Sequence, residues 1–217
     1  MHASISEMKN QICWASKEIY QRGLFNIGEG NISLRVNNRD EMIITPSGNN
    51  YLNPLPENLV HVTFEGKIIT EGQKPSTEYY LHRFFYEQRT RVNCIIHTHS
   101  TYASILAVQH RSLPIIFEEM LVFLGGGVSC SEYAATGTEE LGVNALEAMG
   151  SQNAVILANH GLLIVGKNIE HCVFGSQLVE KMAKIYVKSV AMGKINEIPK
   201  GNVSRLLERF NQEFSTS

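Results

Sequence analysis

Neither sign of charge dominates this sequence: 19 Lys and Arg against 21 Asp and Glu leave a formal net charge of -2 over 217 residues. That excludes the basic footprint by which nucleic acid or an anionic membrane is held, so an anionic ligand has to be captured by a local site. No apolar run approaches the length needed to cross a bilayer. The N-terminal MHASISEMKN lacks the basic start and continuous apolar stretch of a signal peptide, and the cytoplasm is the expected compartment. Cysteine is scarce and scattered, at Cys13, Cys94, Cys130 and Cys172 with no Cys-x-x-Cys pair. Such thiols read as reduced and mostly buried rather than as a disulfide framework. There is no internal repeat, no low-complexity stretch, and no Walker-type or dinucleotide glycine pattern, so no nucleotide is implied.

What is present is the ordinary apolar content of a globular chain, 43%, in a length that suits one domain over 1–217. Met8, Ile12, Ala15 and Ile19 recur at helical spacing after capping serines, with Gly23 as a stop. Ile32, Leu34 and Val36 alternate as in a strand. NNRD then turns into EMIIT, and TPSGNNYLNPLPEN is a polar loop. LVHVTF and KIIT are two further strand candidates. Ser76 is placed to cap a helix carrying Leu81, Phe84 and Phe85 on one face. VNCIIH reads as a buried strand, 101–109 as a helix, and Thr138-Glu139-Glu140 as the start of another helix ending at Met149. AVILANHGLLIVG is two apolar strands about a tight turn. A long helix from about Ile169 to Ala191 buries Val173, Leu178, Met182, Ile185 and Val190. These elements predict an α/β, single-domain layered fold with a central, mostly antiparallel sheet flanked by helices.

Three histidines carry the chemistry. His97 and His99 lie at the end of an apolar strand, where side chains at i and i+2 face the same side and both imidazoles can address one ion. His160 occupies the tip of the Asn159-His160-Gly161 turn, where an imidazole has little packing purpose. Three neutral imidazoles with an open position is the ligand count of a catalytic zinc site. Histidine and carboxylate also accept Mn2+, Co2+ or Fe2+. Glu78, at a helix start, is a candidate fourth ligand or acid/base group; the competing reading is a carboxylate complementing the helix dipole. His2, His61, His82, His110 and His171 have no comparable spacing and read as surface or satisfied groups. Three turns, Gly28-Glu29-Gly30-Asn31, Thr45-Pro46-Ser47-Gly48 and Pro75-Ser76-Thr77, offer backbone N–H and small donors suited to an anion, although turns use such residues for backbone reasons too.

In order along the chain, GNIS at 30–33, TPSG at 45–48, KPSTE at 74–78, IIHTH at 95–99, YAATGT at 133–138 and NHGLL at 159–163 resemble the class II aldolase/adducin-head family. The likeness is closest to its L-fuculose-1-phosphate aldolases and runs to about residue 192. The resemblance implies a homotetramer with active sites between neighbouring subunits. It implies zinc held by Glu78, His97, His99 and His160, and a substrate phosphate cradled by Asn31, Ser47, Gly48, Ser76 and Thr77. It further implies a metal-dependent lyase that reversibly cleaves a ketose 1-phosphate to dihydroxyacetone phosphate and a short aldehyde, with Glu78 shuttling a proton.

Two departures bear on the substrate. Where the fuculose-phosphate aldolases can supply a tyrosine, IIFEEML places Glu118 or Glu119, and the C-terminal LLERFNQEFSTS has no tyrosine. The Glu-Met pair at 119–120 is similar to that of the methylthioribulose-1-phosphate dehydratases, relatives that remove water instead of splitting the chain. Glu119 is the acid/base candidate in either chemistry. A sugar-phosphate 4-epimerase is a further relative, but one carrying Asp where this chain has Glu78. Outside enzymology the alternative is an adducin-head-like interaction module, against which the intact Glu78 and three histidines argue. An amidohydrolase barrel would need a strand–helix repeat that is missing.

Overall fold

The computed structural model describes residues 3–26, 28–36, 39–48, 51–70, 72–199, 201 and 203–216. His2 and the first two residues of the NNRD turn lie outside them. A seven-stranded sheet runs through the molecule in the order β3-β2-β1-β4-β7-β6-β5. Its strands are β1 (Asn31–Arg35), β2 (Glu41–Ile44), β3 (Val60–Thr63), β4 (Cys94–Thr98), β5 (Ser129–Cys130), β6 (Ala154–Leu157) and β7 (Gly161–Gly166). Only the short β5 runs parallel to its neighbour; every other pairing is antiparallel, as the hairpin-rich sequence predicts.

Period-two alternation sorts the strand residues into two cores. Ile32, Leu34, Cys94, Ile96, Leu162 and Ile164 face a core shared with helices α1 (Ile5–Gln21), α3 (Thr101–Val108), α4 (Glu118–Leu124) and α6 (Ile169–Met192). Ile95, Val155, Leu163 and Val165 face the other core, against α2 (Tyr79–Gln88) and α5 (Glu139–Met149). The sheet is thus the middle layer of three. A C-terminal helix α7 (Val203–Glu213) packs on α4. Among the described residues no helix is long and apolar enough to cross a membrane.

Caps explain where the helices begin. Ser4 and Glu7 form a reciprocal capping box on α1, and the Thr138 and Asn168 side chains cap α5 and α6. Three expectations need correcting. KIIT is not a strand; it makes one isolated bridge, Val62 to Ile68, because Ile68 and Ile69 stay exposed, with no second sheet among the described residues to cover them. Val190 is exposed, not internal, since α6 outruns the core beneath its last turns. Ser76 does not cap α2: the N-cap is Glu78, with no capping side chain, and the Ser76 hydroxyl is engaged by Asn31 and by the Glu78 backbone N–H. All four cysteines are free, three of them buried.

Candidate active site

Strand register builds the site before any side-chain contact is considered. Asn31 on β1 and Leu163 on β7 lie directly opposite His97 on β4, so Asn31 and His97 project from the same face, toward the N-terminus of α2. Gly30 holds a left-handed conformation at φ 67°. A Cβ there would sit 2.6 Å from the His97 carbonyl oxygen and closer still to the Phe25 ring. Only glycine lets the loop pass this near the strand that bears the histidine.

The three imidazoles converge. The ring centroids of His97, His99 and His160 are 4.6–5.1 Å apart, and one ligand nitrogen from each lies within 4.8 Å of the others. His97 is fully buried, and its Nδ1 lies 3.0 Å from the Leu162 carbonyl oxygen. A carbonyl can only accept, so Nδ1 carries the proton and the Nε2 lone pair is free. That Nε2 points at His99 Nε2, 2.8 Å away. The Glu78 carboxylate closes the fourth side, with Oε2 3.2 Å from His97 Nε2 and Oε1 2.9 Å from His160 Nε2. Asn31 Nδ2 donates to Glu78 Oε2 at 2.6 Å and also to Ser76 Oγ at 3.1 Å.

Electrostatics agree with that geometry. Burial drives His97 down to about 3, against a smaller upward pull from Glu78, and burial also lowers His99. For Glu78, burial alone would raise the carboxyl. His97, the hydrogen bond and charge of His160, and the Asn31 amide together outweigh it and hold the group well below the usual carboxylate range. The result is a carboxylate held in its ionised form beside His97 and His99, whose burial favours the neutral imidazole. Imidazole nitrogens plus one carboxylate, gathered in a low-dielectric pocket, are a donor set suited to a divalent cation. Glu78 Oε1 is buried without a hydrogen bond of good geometry among the described residues, which suits an atom that would ligate a cation.

Beside this cluster opens a cleft of about 220 Å³ lined by Asn31, Ser47, Gly48, Ser76, Thr77, Glu78, His99 and His160, together with Gly28, Glu29 and Thr136. All five residues expected to cradle an anion therefore share one cavity with His99, His160 and Glu78. Thr136 was not singled out from the sequence, although it stands inside the YAATGT motif. Its position becomes apparent only when the 131–138 loop is laid over the site.

Glu119 is placed elsewhere. It is exposed at the start of α4, beside Glu118 and Phe117, on a separate cleft shared with Ile198, Leu206 and Arg209. Within one chain it does not join the histidines. Of the other histidines, His61 meets Glu41 at 2.7 Å, His110 meets Asn159 at 2.6 Å and His171 meets the Phe123 carbonyl at 3.0 Å. His82 is fully buried, with Nδ1 on Ser33 Oγ at 2.7 Å and Nε2 without a partner among the described residues.

Comparison with known proteins places this arrangement. The family described as Class II Aldolase and Adducin N-terminal domain matches residues 10–187. A 5-deoxy-D-ribulose 1-phosphate aldolase of Bacillus thuringiensis serovar kurstaki is 31% identical, over 95% of this chain and 96% of the relative. A 5-methylthioribulose-1-phosphate/5-deoxyribulose-1-phosphate aldolase of Rhodospirillum rubrum is 29% identical, over 97% of this chain and 94% of the relative. The solved structure of an L-fuculose 1-phosphate aldolase superposes with a TM-score of 0.90 at 33% identity, covering 97% of this chain and 98% of that one. The chain belongs to the class II aldolase and adducin N-terminal domain family, as a lyase of the class II aldolase type.

Proposed function

We propose that this protein is a zinc-dependent aldolase that reversibly cleaves a ketose 1-phosphate, of the 5-deoxyribulose or fuculose kind, to dihydroxyacetone phosphate and a short aldehyde. The observation that carries the reading is the shared cavity. A three-histidine, one-carboxylate cluster opens onto a cradle of backbone and hydroxyl donors, so the reacting end and the phosphate end of one small substrate are held together. The names of the relatives from Bacillus thuringiensis and Rhodospirillum rubrum support a five-carbon deoxyketose phosphate.

In this reading His97, His99, His160 and Glu78 hold the ion. A divalent cation there supplies a Lewis acid that polarises the ketose carbonyl and stabilises the charge developing as the neighbouring carbon–carbon bond breaks. Asn31, Ser47, Gly48, Ser76 and Thr77 bind and orient the phosphate, fixing which carbons lie beside the histidines. Glu78 moves the proton at the carbon left with the bonding electron pair, and Asn31, donating to Oε2, steers the carboxylate for that task. Glu119 is the acid/base group for the departing aldehyde oxygen. Its exposure on a cleft of its own supports delivery to the site of a neighbouring subunit in a homotetramer.

The test is a substrate panel of 5-deoxyribulose, fuculose and methylthioribulose 1-phosphates, scored for dihydroxyacetone phosphate against a dehydrated diketone. Cleavage of at least one, abolished by His97→Ala together with loss of bound metal, is the expected result. Diketone without cleavage would replace the aldolase by a dehydratase. A purified protein unable to take up stoichiometric metal would return the fold to an interaction module.

A further inference from the structure

His97 and His160 are held in different ways. His97 is fixed through its own ring, by the bond from Nδ1 to Leu162. His160 Nδ1 is buried and has no partner among the described residues, so apart from its Nε2 contact with Glu78 the ring is aimed by the backbone that carries it. That backbone is unusual. Among the described residues just two non-glycine residues have positive φ, His110 at 49° and Asn159 at 53°, and the second immediately precedes His160. The two touch each other: His110 Nε2 lies 2.6 Å from Asn159 Oδ1. An amide oxygen only accepts, so the ring donates. Their backbones also meet at one atom, the Ala107 carbonyl oxygen, which accepts from Asn159 N at 3.0 Å and from His110 N at 3.2 Å.

Helix α3 is thereby tied to both halves of the cluster. It starts two residues after His99, where the Glu180 carboxylate accepts from the N–H groups of Tyr102 and Ala103 at 2.9–3.1 Å. It ends at the His110–Asn159 contact beside His160. Left-handed backbone at non-glycine residues persists only where the surroundings over-determine it. Here the surroundings are each other and the helix end.

We infer that His110 is a positioning residue for the metal centre: through Asn159 it locks the left-handed turn that aims the His160 imidazole at His97, His99 and Glu78. This deepens the reading of the cluster as a metal site and rests on it. His110 is exposed and never reaches the ion. Its effect therefore belongs in metal affinity and coordination geometry, where outer partners of ligands act, and not in the stability of the metal-free fold.

The experiment separates these. His110→Gly removes the donor yet suits left-handed backbone better than histidine does. The metal-free variant is expected to melt no lower than wild type, while Zn2+ affinity against a competing chromogenic chelator falls about tenfold. The visible spectrum of the Co2+-loaded variant should change with it. His110→Gln, which restores a donor of similar reach, should recover most of the affinity. Asn159→Gly should lose as much as His110→Gly, and the double variant no more than either, as expected for one shared contact. Wild-type Zn2+ affinity in His110→Gly, or additive losses in the double variant, would overturn the lock while leaving the metal site standing. A wild-type protein that takes up no metal would overturn both.

Discussion

Single atoms decide how closely the two halves of the cluster approach. Gly161 follows His160, and a Cβ added there would lie 2.4 Å from the Thr98 carbonyl oxygen and about 3 Å from the rings of both His97 and His99. Backbone on one side and two site residues on the other leave nothing flexible to yield. Gly161→Ala should therefore displace the 159–161 turn, cost about 1–3 kcal/mol through overpacking, and weaken metal uptake more than an alanine elsewhere in β7. Isothermal titration with Zn2+ alongside urea unfolding measures both; unchanged metal affinity would contradict the close-approach argument. At this scale much of the candidate site was legible. Strand parity placed His97 and His99 together, and a polar tip between apolar strands marked His160. The meeting of Glu78 with them depends on how α2 sits against the β4 end, which residue spacing does not encode; its place at a helix start made it a candidate beside a helix-dipole reading, and the motif resemblance favoured the ligand. Glu119 shows the converse. Two carboxylates interrupting an apolar run read as functional, but which cleft they face depends on α7, whose docking the sequence left open.

Elements were legible where one face alone is buried. Helices α1, α2 and α6 announced themselves by periodicity, and α1 and α5 by the capping residues at their starts, Ser4 and Thr138. Helix α4 did not, because Met120, Leu121, Val122 and Leu124 are all buried and no polar stripe sets a period. Helix α7 is amphipathic yet buries only Phe210 outright, so its partner is invisible from composition. That partner is the start of the glycine run: Phe210 packs on Gly125, where a Cβ would lie 2.6 Å from the ring. Asn153 then pins the chain end, donating to the Phe214 carbonyl at 2.8 Å and accepting from Thr216 at 2.7 Å. Phe210→Ala should cost about 3–5 kcal/mol, seen as a lower urea midpoint with an unchanged slope. A loss below about 1 kcal/mol would mean that α7 contributes little to the fold.

At the scale of the whole molecule, the buried histidines tie stability to pH and to metal. His82 and His97 are fully buried, and burial lowers them to about 4 and about 3. Unfolded, each titrates near 6.5, so below that pH the unfolded chain binds protons that the folded one refuses, and stability falls as pH drops from about 6.5 toward 4. For His82 alone the shift corresponds to roughly 3 kcal/mol at about 1.4 kcal/mol per pKa unit. The Glu78 carboxyl, held low by its neighbours, adds a loss of the same sign below its ordinary range near 4.5. A bound ion acts against this, because it binds the folded state and needs the imidazoles unprotonated. At a free concentration of 1,000 times Kd it adds about 4 kcal/mol. Chelator-treated protein should therefore melt well below Zn2+-loaded protein at pH 7.5. The two curves should converge near pH 5 as protons displace the metal. His82→Gln, lacking the titrating ring, should flatten the acid limb of the metal-free curve while leaving the metal-dependent gap at pH 7.5 intact. A metal-free melting temperature constant from pH 7.5 to 5 would show that both rings protonate without unfolding, and that the site opens to water in the absence of its ion.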